Sequence, residues 1–245
     1  MVDARRRRIG SLDSIVVDGG AAPENVIVIC HGYGANQEDL APLSSEWITL
    51  LGEHAEKYRF IFPNAPHSLE QMGMPSGRAW WPINMAKLAQ LVEAAAFHEL
   101  HDHEPPGIDE ARSKLSDLII ASIAEVQCDT VKLALGGFSQ GAMLTMDVAL
   151  RGVIPVPHAL LQFSGTMVCR EAWEGAVRQR LAKTSVFQSH GTMDPILPYT
   201  SAEAVREMLI NADISLDFHA FPGPHTIDVD SVVKSGLLLK SLSVG

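Results

Sequence analysis

Apolar and polar positions along this chain switch repeatedly between two periods. Residues 26–30 form an uninterrupted apolar run, Val26-Ile27-Val28-Ile29-Cys30, the pattern of a strand covered on both faces in a parallel sheet. Leu40, Leu43, Trp47, Leu50 and Leu51 then recur at helical spacing. The alternation continues to the end of the chain. Strands are predicted at 15–17, 59–62, 131–135, 159–163, 185–188 and 215–220. Helices are predicted at 108–127, 142–150, 202–209 and 229–242. Residues 64–84 carry Gly73, Pro75, Gly77 and Pro82 and read as a loop. Strands regularly separated by helices imply βαβ units and an α/β fold with a mostly parallel central sheet flanked by helices. With no internal repeat and no linker-like tract, the 245 residues read as one domain, residues 1–245.

Two segments stand apart. Residues 1–12 contain Arg5-Arg6-Arg7-Arg8 with no apolar stretch behind them, so they read as a flexible, solvated tail rather than a secretory leader. Residues 85–107 are the least regular. Met85, Leu88, Leu91, Val92, Ala95 and Leu100 fit one helix face, and a His-rich stretch follows at 98–104. This segment reads as a lid or pocket insertion or, equally well, as plain structural packing. Its Met/Leu-rich part near residue 90 also offers a surface for a homodimer. His98 and His101 are three apart, not the four of a zinc-binding HExxH helix.

Composition narrows the function classes. Hydrophobic residues at 47% and charged residues at 20% support a packed core. The longest apolar run is far below the roughly 18 residues of a membrane helix, so no stable membrane insertion is expected. A net charge of −10 argues against nucleic acid as partner. Cys30, Cys128 and Cys169 are odd in number and lack CxxC spacing. Neither a metal site nor a disulfide framework is indicated, and a reducing cytoplasm is the simplest compartment.

The chemistry concentrates at strand ends. Gly137-Phe138-Ser139-Gln140-Gly141 sits between a predicted strand and a predicted helix, the context in which G-x-S-x-G raises a serine nucleophile on a sharp turn. The alternative is a serine that only caps the helix. A serine hydroxyl needs a base. His225, in the loop between the last strand and the last helix, suits that role better than His219, which lies inside a strand pattern. His31 and His190 each precede a glycine after a strand and read as organisers of loop backbone. Asp194, in the loop after the 185–188 strand, is the acid expected to hold the imidazole, ahead of Asp213 and Asp217. An oxyanion hole is expected from the backbone N–H groups of Gln140 and of Tyr33 in His31-Gly32-Tyr33-Gly34. Trp80, Trp81, Met85 and Met193 are the expected pocket residues; both tryptophans read equally well as core.

The segment Leu135–Ala142 resembles the nucleophile motif of the phospholipase/carboxylesterase family, which includes acyl-protein thioesterases and small bacterial carboxylesterases. Cys30-His31-Gly32-Tyr33-Gly34 resembles that family's early HG-x-G loop, and Phe62-Pro63-Asn64-Ala65-Pro66 its following strand end. The 190–198 and 223–225 segments resemble its acid and histidine motifs. The resemblance spans about residues 15–242. It implies an α/β-hydrolase that cleaves carboxylic esters or thioesters of small molecules through an acyl-enzyme, without a cofactor. One departure is Ala79-Trp80-Trp81-Pro82, which lacks the acidic residue often found there. Lysophospholipase, dienelactone-hydrolase-like lactonase and non-catalytic ligand binding remain as rival readings.

Overall fold

Strands that bury both faces need cover on both sides, and the helices supply it. A computed structural model describes residues 3–243. Its main sheet has eight strands: β1 (Asp3–Ile9), β2 (Leu12–Asp18), β3 (Asn25–Cys30), β4 (Tyr58–Pro63), β7 (Lys132–Phe138), β8 (Ala159–Phe163), β9 (Ser185–Gly191) and β10 (Ser215–Phe221). The order is β1-β2-β4-β3-β7-β8-β9-β10. The β1–β2 and β2–β4 pairs are antiparallel and the rest are parallel. A two-stranded ribbon, β5 (His67–Ser68) with β6 (Arg78–Ala79), lies within the region read as a loop.

Alternate side chains of β3 feed two cores. Val26, Val28 and Cys30 join one, packed with α3 (Ile108–Ala124), α4 (Gln140–Arg151), α5 (Arg170–Arg180) and α6 (Tyr199–Asn211). Ile27 and Ile29 join the other, under α1 (Leu43–Leu51) and α7 (Val229–Ser241). The mostly parallel sheet with helices on both faces is therefore as expected. The remaining helix, α2 (Met85–Glu93), has no buried residue. Helix α5 was not predicted: Arg170-Glu171-Ala172-Trp173-Glu174-Gly175-Ala176-Val177 shows little apolar periodicity, and only Trp173 and Val177 are buried.

The N-terminal expectation is corrected. Within residues 1–12, Asp3–Ile9 is a sheet strand paired with β2 along its whole length, and Ile9 and Leu12 are buried; residues 1–2 lie outside the described residues. Every arginine of the run finds an acid. Arg5 pairs with Asp18 at 2.5 Å, Arg6 with Glu38 at 2.5 Å, Arg7 with Glu125 at 2.5 Å, and Arg8 with Asp13 at 3.7 Å. Asp18 is also held by Arg59 of β4 at 2.7 Å. Exposed pairs contribute little singly, but the charges blunt an edge strand against pairing with another chain.

Asp147 in α4 is fully buried and joins three helices. It accepts from Trp173 Nε1 at 2.9 Å, Arg112 at 2.8 Å and Arg151 at 3.2 Å. Removing one partner of a buried charged cluster costs roughly 3–5 kcal/mol. Asp147→Ala should therefore lower the denaturation free energy by about 3 kcal/mol, the low end because both arginines keep partial solvent access; urea titration measures it.

Candidate active site

Strand β7 ends at Phe138 and α4 begins at Gln140. Between them Ser139 has φ +55°, a conformation costly for a non-glycine residue and typical of functional strain. Its N–H donates to Phe163 O at 2.9 Å and its carbonyl accepts from Ala142 N at 2.9 Å. The turn is tight because α4 lies directly on the end of β3. A Cβ on Gly141 would sit 2.1 Å from the carbonyl oxygen of Cys30, so only glycine fits.

Three loops meet Ser139. His31 organises the first: its Nδ1 donates to Gly32 O at 2.8 Å, and its Nε2 accepts from Ala65 N at 3.1 Å. Burial is the main reason its pKa falls to about 4, so the ring is neutral, as that pairing requires. The second loop is tied to the third. A Cβ on Gly191 would sit 2.3 Å from Gly223 O, and the N–H groups of Thr192 and Met193 donate to Phe221 O and Gly223 O at 2.8 and 3.0 Å. This contact brings Asp194 to His225, whose Nδ1 donates to Asp194 Oδ2 at 2.6 Å. The other carboxylate oxygen accepts from the N–H groups of Ile196 and Leu197 at 2.8 and 2.9 Å. His190 Nε2 lies 3.2 Å from Oδ2 and also donates to Leu197 O at 2.9 Å. Burial opposes the charge on Asp194, but the hydrogen bonds from His190, His225 and the loop N–H outweigh it and hold the carboxyl well below the usual range. Ser164, with φ +46°, donates its hydroxyl to Thr226 O at 3.1 Å and steadies the His225 loop from β8.

Ser139, His225, Gln140 and Tyr33 all line one cavity of about 650 Å³. Gln140 is the first residue of α4, so its N–H has no intrahelical acceptor. Its side chain is buried, accepting from Trp80 N at 2.9 Å and donating to Trp81 O at 2.9 Å. Much of the remaining wall is apolar, and α2 with the turn after it contributes Met85, Leu88, Leu91, Phe97 and Leu100 to it. The apolar face of the 85–107 segment thus turns onto the cavity.

Of the expected pocket residues, Trp81 and Met85 line the cavity. Trp80 does not: it is fully buried and its indole N–H donates to His31 O at 2.9 Å. Met193 does not either. Its loop is turned by the bond to Gly223 O, and its side chain is 64% exposed. Sequence reasoning missed Thr166 and Val168, which reach the cavity from the segment after β8 and carry no motif. It also missed Leu197, which lines the cavity beside Asp194.

Among the described residues one group has ligand-like spacing for a metal: His219, Asp228 and Asp230. Hydrogen bonds already engage it. His219 Nε2 donates to Asp228 at 3.0 Å, and Asp228 caps α7 by accepting from Ser231 N at 2.9 Å.

The lowered pKa of His31 has a consequence for stability. An unfolded histidine takes up a proton near pH 6.5, whereas folded His31 resists it until about pH 4. The unfolded state therefore binds more protons across that interval, and stability is lost as the pH is lowered through it. The melting temperature should drop from pH 7 to pH 4.5. His31→Gln should flatten that slope in calorimetry, apart from any uniform loss of stability.

Residues 12–235 match the family model described as Phospholipase/Carboxylesterase. Acyl-protein thioesterase 1 of Eremothecium gossypii is 33% identical over 189 residues, covering 73% of this chain and 69% of that protein. Among solved structures, esterase PE8 superposes with a TM-score of 0.73 at 24% identity, covering 98% of each chain. Zea mays acyl-protein thioesterase 2 superposes with a TM-score of 0.65 at 19% identity, covering 95% of this chain and 99% of that one. With the elbow, the HG-x-G loop and the paired acid and histidine loops on one α/β-hydrolase sheet, the chain belongs to the phospholipase/carboxylesterase family.

Proposed function

We propose that this protein is a serine hydrolase of carboxylic esters or thioesters, with Ser139 as nucleophile, His225 as base and Asp194 as orienting acid. The observation that carries the reading is that Ser139 and His225 share one cavity while His225 Nδ1 donates to a buried carboxylate at 2.6 Å. With its Nδ1 proton held by Asp194, His225 has Nε2 as an unprotonated base. Nε2 takes the Ser139 proton as Oγ attacks the acyl carbon. The tetrahedral oxyanion is held by the N–H groups of Gln140, at the positive end of α4, and Tyr33. His225 then protonates the departing alcohol or thiol, and the acyl-Ser139 ester forms. A water molecule deprotonated by His225 cleaves that ester and regenerates Ser139.

The apolar walls suit an acyl chain of an uncharged ester or thioester, and the relatives named acyl-protein thioesterase support this class. No described helix is long and apolar enough to cross a membrane. The three free cysteines fit a reducing cytoplasm.

Ser139→Ala should lower kcat on a p-nitrophenyl ester by about 10⁴-fold or more, and Asp194→Asn by on the order of 10⁴-fold. Turnover by Ser139→Ala near the wild-type rate would sink the assignment. A fluorophosphonate should label Ser139 covalently; a pure binding protein would remain unlabelled. Across straight-chain acyl esters, kcat/KM should rise by up to about fourfold per methylene, since each buried CH₂ contributes about 0.8 kcal/mol. The rise should stop when the cavity is filled. A parallel acyl-thioester series identifies the preferred leaving group.

A further inference from the structure

The cavity wall is a strap with two ends. At one end Gln140 holds the backbone of Trp80 and Trp81 against the elbow. Between the ends runs α2, which contributes Leu88 and Leu91 to the cavity yet buries no residue. It is followed by Ala95 at φ +53°, an unfavourable turn for a residue with a Cβ. Of α2 only Leu88 and Val92 pack, half-buried, against the core, so the segment has little to hold its position.

The other end is different in kind. The 3₁₀ turn Phe97–Leu100 puts Phe97 and Leu100 on the cavity wall and leads directly into His101. The His101 side chain is 4% exposed and is not part of the lining. Its Nε2 donates to Ser201 Oγ in α6 at 3.0 Å, and its Nδ1 accepts from Arg170 at the start of α5 at 3.0 Å. Arg170 also ion-pairs with Asp102 at 2.9 Å. The backbone is stitched to the same place: Arg170 N donates to His101 O at 2.9 Å, and Cys169 N to His103 O at 3.0 Å. The Phe97 ring meets the imidazole edge-on, 6.2 Å between centroids.

We propose that His101 is a specificity-determining positioning residue, the latch that clamps the far end of the strap to α5 and α6 and so sets how long an acyl chain the cavity holds. The proposal rests on the hydrolase reading above. Both hydrogen bonds require a neutral ring with its proton on Nε2. The groups that bear on its charge are Arg170, Asp102 and His98. Burial first, then the Arg170 cation, lowers its pKa to about 4, so the latch is closed at neutral pH. The reacting groups stand on other elements, at the ends of β7 and β9 and in the β10–α7 loop. The clamped turn brings Phe97 and Leu100 to the wall and carries none of the reacting groups, so loosening the latch alters the apolar wall that holds a long acyl chain rather than the triad.

The test compares p-nitrophenyl acetate with p-nitrophenyl decanoate and follows hydrogen exchange over residues 85–100. Loss of two buried hydrogen bonds in His101→Ala should raise KM for decanoate about tenfold, leave kcat/KM for acetate within about twofold, and speed exchange in 85–100 but not in α4. His101→Gln, whose amide can accept from Arg170 and donate to Ser201, should restore most of the decanoate KM. Should His101→Ala not fold, Ser201→Ala removes one bond only and should shift the decanoate-to-acetate ratio in the same direction by about threefold. A folded variant with an unchanged ratio and unchanged exchange overturns the latch, as does a parallel loss for both esters. If wild-type protein hydrolyses neither ester and resists fluorophosphonate, the hydrolase reading has failed. Exchange then decides the latch separately: faster exchange in 85–100 supports the clamp, and unchanged exchange overturns it.

Discussion

The first turn of α4 rests on the carbonyl end of β3 with no side chain between them, and the rest of the site depends on that contact. A Cβ at 141 would stand 2.1 Å from Cys30 O, and one at Gly32 would stand 3.3 Å from Ser139 Cβ. Helix and strand backbones approach this closely only where Cβ atoms are absent. The consequence is geometric. Ser139, the free N–H groups at the head of α4 and the loop that follows β3 all face one volume. The strain at Ser139 is sustained because β8 and α4 over-determine its backbone through Phe163 O and Ala142 N.

Around this contact buried polar side chains tie the loops of the site together. His31 and Gln140 do this for the wall of the site. Neutral His31 joins the loop after β3 to Ala65, and its carbonyl receives the Trp80 indole N–H. Gln140 receives one backbone group of the Trp80–Trp81 pair and donates to the other. Asp194 does it for the opposite side, where two imidazoles and two backbone N–H groups converge on a single carboxylate. Buried charge is tolerable only when so fully satisfied. The apolar part of the cavity has the reverse character, built by a thin segment tied down mainly at its ends.

The outcome at each residue shows what a sequence can carry. The buried strands were legible because a five-residue apolar run has few other uses, and β3 lies where the run predicts. The positions of Ser139, Asp194 and His225 at three strand ends were legible because each sits in a short loop with glycine or proline neighbours. Helix α5 was not, since Trp173 and Val177 alone mark its buried face. Trp80 and Trp81 were indistinguishable as adjacent aromatics; both pack in the core, but the Trp80 indole is turned to His31 O while Trp81 also reaches the cavity. Met193 was misplaced because proximity to Asp194 along the chain does not say which way a loop side chain turns.

The N-terminal arginines mark the boundary most clearly. Local pattern contains the strand period, the elbow glycines and the short loops that carry Ser139, Asp194 and His225. These depend on neighbours a few residues apart, and so the fold class and the chemistry-bearing loops were determined by the sequence itself. Arg5, Arg6 and Arg7 instead find Asp18, Glu38 and Glu125, which lie 13, 32 and 118 residues away. Four like charges in a row repel one another until those acids are brought beside them. Whether the run is a loose tail or an edge strand was therefore decided only by tertiary structure, as were the cavity walls and the clamp on His101, because each depends on groups that become neighbours only when the sheet is assembled.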